Sequence, residues 1–223
     1  MWSDDWSLTL LLVLLVGNIF IVPLARFATW GRFAGRGILL LIIISGILAT
    51  VSDLRVIFIA LAFSLISLLL GWEDIARPNL YLHLVNDFWA LLFLGLLIVL
   101  ILRQVFRSGP ITVRRIQGSV AVYLLLGLIW AIAYEIVEIM QPGSFAANTR
   151  HEVALPELGY FSFTTITTLG LGDILPSSPL ARALTVLEAL IGQLFPVVLI
   201  ARLVAMEIEY QRTRERHASR SIE

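Results

Sequence analysis

The stretch from Thr164 to Pro176 reads TTITTLGLGDILP and lies between two long apolar runs. Gly170 and Gly172 alternate with Leu169 and Leu171, and Asp173 and Pro176 follow. Non-helical backbone at membrane depth survives only where protein buries it or where it lines a water-filled cavity. Glycine at alternate positions admits positive φ, so successive carbonyls can turn to one side, which an ordinary strand cannot do. A ring of such carbonyls is a site for a dehydrated monovalent cation. The stretch with this glycine spacing is Thr168-Leu169-Gly170-Leu171-Gly172-Asp173.

The rest of the chain must position that segment. It has 223 residues, 59% of them hydrophobic, and a mean hydropathy of +0.91. A soluble domain is about 45–50% apolar, so this is an integral membrane protein. Sixteen basic and sixteen acidic residues balance, leaving no nucleic-acid footprint. The absence of cysteine excludes disulfides and thiolate metal sites.

A span takes about 20 mostly apolar residues. The runs Leu8–Ala25, Gly37–Val51, Val56–Gly71, Phe88–Leu102, Val120–Ile139 and Leu180–Met206 give six. The first is read as a span, because Asp4 and Asp5 precede it where a signal peptide carries basic residues. Gly37 to Gly71 reads as a hairpin broken at Ser52-Asp53-Leu54-Arg55. Arg103, Arg107, Arg114 and Arg115 follow span four, and Arg212, Arg214, Arg216 and Arg220 follow span six. Both segments are expected on the cytoplasmic side, which also puts the N-terminus there. Arg26, Arg32 and Arg36 conflict with six spans. Either an interfacial helix through Phe27, Trp30 and Phe33 or a span count off by one would reconcile them. The expected organisation is a four-span membrane domain over 1–106, a cytoplasmic linker over 107–117, a pore domain over 118–206 and a cytoplasmic tail over 207–223.

Between the last two spans, Gln141–Pro156 is polar and turn-rich. Glu157–Thr167 is a short helical candidate, with Pro156 ahead of it and Glu157 in its first turn. Eleven helical residues span about 16 Å, half the hydrocarbon thickness. Such a helix enters the membrane, stops midway and returns as extended chain.

This segment resembles the signature of the potassium channel superfamily, T-V-G-Y-G-D with a proline three residues after the Asp; here it reads T-L-G-L-G-D-I-L-P. Tyr160 and Phe161 match the family's aromatic pair, Thr167 and Thr168 its doubled threonine, and Gly192 its inner-helix glycine. The resemblance covers about Val120 to Met206. It implies an all-α membrane fold with a re-entrant pore helix and filter between the last two of six spans, and a homotetramer around one pore. K⁺ would be held by the carbonyls of Thr168, Leu169, Gly170 and Leu171 with the Thr168 hydroxyl, ahead of Gly172, and Asp173 would gather cations at the outer mouth. Tyr160, Phe161, Thr164, Thr165 and Thr167 would support the filter. No cofactor, soluble partner or enzymatic activity is implied. The expected location is a bacterial plasma membrane in contact with lipid. Leu171 departs from the family's Tyr or Phe and has no hydroxyl to brace the filter. Thr164 stands where some members place a Glu. Both point to a looser filter, and a weakly selective or nonselective cation channel is the alternative reading.

The G-x-G-D letters also occur in intramembrane aspartyl proteases of the presenilin type, where two carboxylates share a proton. The Tyr-Asp pair and the Pro-Ala-Leu motif of that family are missing here.

Other residues carry narrower expectations. Glu188 lies deep in span six and is expected to brace the filter through Thr164 or Thr165, or else to face the cavity as a cation site. Gly192 and Pro196 mark a bend and gate, or a close-packing point, with Gln193 lining the cavity. Glu135 and Glu138 share one face of span five near the interface. His151 is a solvated turret residue or a group titrating near neutral pH. Span four has no Arg before Arg103, so voltage sensing by a repeated-Arg helix is not expected. With seventeen residues after Met206, no nucleotide- or calcium-binding domain is expected on this chain.

Overall fold

The computed structural model describes residues 8–17, 80–107, 109–147 and 153–220. The spans expected at Gly37–Val51 and Val56–Gly71, the arginines at 26, 32 and 36, and His151 lie outside the described residues. The elements run α1 (Leu8–Gly17), α2 (Leu80–Val105), α3 (Val113–Met140), β1 (Phe145–Ala147), α4 (Leu155–Ile166), β2 (Ile174–Pro176) and α5 (Pro179–Arg220). Among the described residues, α2, α3 and α5 are long and apolar enough to cross a membrane.

α2 and α3 form an antiparallel pair. Leu94, Leu97, Ile98, Ile101 and Val105 of α2 are buried with Ala121, Val122, Leu125 and Ile132 of α3. The helices close where the chain turns, because a Cβ on Gly118 would meet Val105 at 3.0 Å and Ile101 at 3.3 Å. α1 adds Leu8, Leu11 and Leu15 to this core, a stripe at the three- and four-residue spacing of one helical face. Gln117 ties it to the pair by donating to the Thr9 hydroxyl at 3.2 Å.

Two helices extend past their expected ends. α2 starts at Leu80 and not Phe88, so Asp87 is a buried helical residue. α3 starts at Val113 and not Val120, taking much of the expected 107–117 linker. Helices can run on through polar sequence beyond the hydrocarbon, which a hydropathy window cannot see.

The fold is helical but not wholly so. β1 and β2 pair antiparallel, with Phe145 opposite Pro176 and Ala147 opposite Ile174. The turn before β1 is set by Glu138 at the end of α3, whose two carboxylate oxygens accept the amides of Gly143 at 2.7 Å and Phe145 at 2.9 Å. Ser144 is fully buried, and its carbonyl accepts the Ser177 amide at 2.7 Å. Ser178 then opens α5 by accepting the Ala181 amide at 3.1 Å, with Pro179 in the first helical position. This ribbon joins the two ends of the loop between α3 and α5.

Candidate functional site

α4 begins much as the sequence indicates. Pro156 sits in its first turn, and the Glu157 carboxylate reaches back to the Ala154 amide at 3.2 Å. Ala154 has no side-chain acceptor, so only this half of a capping box is made. The helix is held between α3 and α5. Its last carbonyl, Ile166 O, accepts the Tyr123 hydroxyl at 2.9 Å. Gly192 of α5 backs onto the same group: a Cβ there would overlap Ile166 O and come within 2.9 Å of the Ile166 carbonyl carbon. At the other end of the contact, Ser162 Oγ lies 2.7 Å from Gly127 O.

Beyond Ile166 the chain leaves the helix with an alternating twist. Thr168 has φ 59°, Gly170 φ 54° and Gly172 φ 77°, while Leu169 and Leu171 keep negative φ. For a β-branched residue such as Thr168 the left-handed region is strained by about 1–3 kcal/mol. Several bonds hold it there. The Thr168 amide donates to Thr165 O at 2.9 Å. Its hydroxyl donates to Thr167 O at 2.7 Å and accepts Gln193 Nε2 at 3.1 Å. The Gly170 amide donates back to Thr164 O at 3.0 Å. Carbonyls that a helix normally leaves unpaired at its C-terminus therefore take the amides of the following segment. Residues Thr167 to Asp173 are all exposed on the chain.

The expected supports separate into two groups. Phe161 is buried, edge-on to Tyr134 at 5.3 Å and to Phe145 at 5.4 Å between ring centres. Tyr160 is exposed and lies on the Asp173 side of the segment, within bonding reach of that carboxylate. Thr164 and Thr165 are buried, and the Thr164 hydroxyl donates to Phe161 O at 2.9 Å. The Thr167 hydroxyl donates to Phe163 O at 2.5 Å. Pro196 lies inside α5, which continues through it.

Glu188 is completely buried between helices. Its partners differ from those expected. Ser162 Oγ is 2.5 Å from Oε1, and the Tyr134 hydroxyl donates to Oε2. The carboxylate thus meets α4 one turn earlier than Thr165, because the side chain leans toward the N-terminus of α5. Ser162, Tyr134 and Tyr123 were missed in the sequence. Their only signal is a hydroxyl set within an otherwise apolar helical run.

An ion channel family matches residues 120–209, the stretch that carries α3, α4, the alternating segment and α5. Over that stretch the chain is similar to ion channels. The inward rectifier potassium channel Kirbac3.1 of Paramagnetospirillum magnetotacticum is 34% identical over 91 residues, 39% of this chain and 26% of the relative. The chain thus spans about a quarter of the length of the curated relative it matches. No solved structure matches it.

Proposed function

We propose that the chain is one subunit of a homotetrameric channel that conducts K⁺ in preference to Na⁺ through carbonyls of Thr168, Leu169, Gly170 and Leu171. One observation carries the reading: φ changes hand at every residue from Thr168 to Gly172, while the Thr168 and Gly170 amides are bonded back to α4. With those amides occupied, carbonyls are left for the opposite side, where they replace water around an ion. The permeant ion is the cargo, and no cofactor is needed.

The assembly follows from what one chain leaves uncovered. Leu169 and Leu171 are 62% and 60% exposed, and Leu187, Leu190, Leu194, Val197 and Val198 of α5 are exposed as well. Copies of the chain around an axis cover part of these surfaces, and lipid covers the remainder. α4 then acts as a re-entrant pore helix, with its negative dipole end facing the ion path. Asp173 stands at the outer mouth with Tyr160 beside it.

The Arg-rich segments after α2 and along the end of α5 are cytoplasmic, in a bacterial plasma membrane. The backbone of Ile111 donates to Glu207 Oε2 at 3.1 Å. This contact gives the α2–α3 elbow a grip on α5 below Gly192, Gln193 and Pro196, the expected gate region.

Purified protein in liposomes tests the reading. Under a K⁺ gradient the vesicles should take up charge-compensated K⁺ faster than Na⁺, and barium should block the flux. Equal, barium-insensitive Na⁺ and K⁺ fluxes would reject it.

A further inference from the structure

His83 and Asp87 stand one helical turn apart on α2, and Glu135 of α3 faces them. His83 Nε2 lies 3.7 Å from Asp87 Oδ2 and 3.4 Å from Glu135 Oε1. The three donor atoms all fall within 4.8 Å of one another. We propose that His83, Asp87 and Glu135 bind one divalent transition-metal ion of the Zn²⁺ class, clasping α2 to α3.

Geometry, donor chemistry and access support this assignment. A four-coordinate ion with donors at about 2.1 Å sets them about 3.4 Å apart, close to the two spacings from His83 Nε2. One imidazole nitrogen with two carboxylate oxygens suits zinc-like ions, whereas calcium and magnesium take oxygen alone. Two carboxylates and a neutral imidazole carry charge −2, which a divalent ion neutralises. The Asp87 and Glu135 side chains are 7% and 14% exposed, so two ligands are desolvated, while His83 at 32% leaves an entry path. Three protein ligands keep a fourth position for water.

The site lies at the start of α2 and toward the end of α3, the end of the pair that leads into β1. Glu135 follows Tyr134, which holds Glu188 behind α4. A metal that fixes Glu135 to α2 therefore fixes the turn of α3 from which that contact is made. The binding claim stands independently of ion conduction, because its readout is bound metal.

The test is equilibrium dialysis of the purified full chain against Zn²⁺, with bound metal counted by mass spectrometry. One Zn²⁺ per chain is expected, with Kd below about 10 μM. His83→Gln and Glu135→Gln should each weaken binding at least about tenfold, and Glu135→His, which keeps a donor, should restore it. X-ray absorption at the zinc edge on the unmodified protein should show a single imidazole in an otherwise oxygen shell, a readout that depends on no variant folding. Failure of the unmodified protein to retain Zn²⁺ would overturn the proposal and leave the triad as an ion-pair network. Undiminished retention by both Gln variants, or a zinc shell without imidazole, would overturn it as well.

Discussion

The carboxylate of Glu188 on α5 meets the hydroxyl of Ser162 on α4 at 2.5 Å, with neither group reached by solvent. Tyr134 of α3 donates to the second carboxylate oxygen. Three helices therefore meet at one buried acid, which contacts α4 one turn before its end. Glu188→Ala should deprive the buried Tyr134 hydroxyl of its Glu188 acceptor, at about 1–3 kcal/mol, while the Ser162 hydroxyl keeps Gly127 O. Glu188→Gln keeps the volume and a polar atom at each position, and should cost less. Thermal unfolding in detergent ranks the two, and K⁺ over Na⁺ selection should fall in the same order.

Gly192 is a contact point between α5 and the last carbonyl of α4. Gly192→Ala forces the backbones apart, and should destabilise the protein by about 1–3 kcal/mol. Gly95→Ala on α2 meets nothing within 4 Å, and should stabilise by about 0.5–1 kcal/mol. Opposite signs in a thermal unfolding comparison are expected. Equal shifts would mean that the glycine at 192 serves bending alone.

Gln193 donates to the Thr168 hydroxyl at the inner end of the segment. Gln193→Ala removes about 1 kcal/mol of hydrogen bonding, roughly a fivefold change in an equilibrium there. Barium affinity in the liposome flux assay should weaken by about that factor. An unchanged block would separate Gln193 from the ion path.

Glu138 satisfies two backbone amides of the turn before β1. Hydrogen bonds to a charged group contribute about 1.5–3 kcal/mol each. Glu138→Ala should loosen the β1–β2 ribbon, seen as faster amide exchange at Phe145 and Ala147 while exchange in α2 stays as before.

The candidate ion-binding segment was legible because glycine spacing states a backbone requirement directly. Gly170 and Gly172 do adopt positive φ, and α4 begins where Pro156 and Glu157 indicate. Thr168 shares that conformation, which its residue type opposes; its bonds to Thr165 O and Thr167 O and from Gln193 help to hold it there. The start of α2 was not legible, because His83 and Asp87 interrupt the apolar run. Their polar face turns toward Glu135, and such pairing between helices leaves no periodic mark. The partner of Glu188 was placed a turn too late for a related reason: sequence gives a helix face but not the height at which two helices cross. Strands of three residues carry no alternation to read, so β1 and β2 were missed entirely.

The proposed ion path runs between carbonyls of Thr168 to Leu171 on an axis shared by four chains. Crystals grown in rubidium or thallium and measured at the anomalous edge of that ion test it most directly. The account predicts a row of anomalous peaks on a four-fold axis, between the carbonyl layers of Thr168, Leu169, Gly170 and Leu171. An assembly without a four-fold axis, or an axis with no ion density beside these residues, would contradict it.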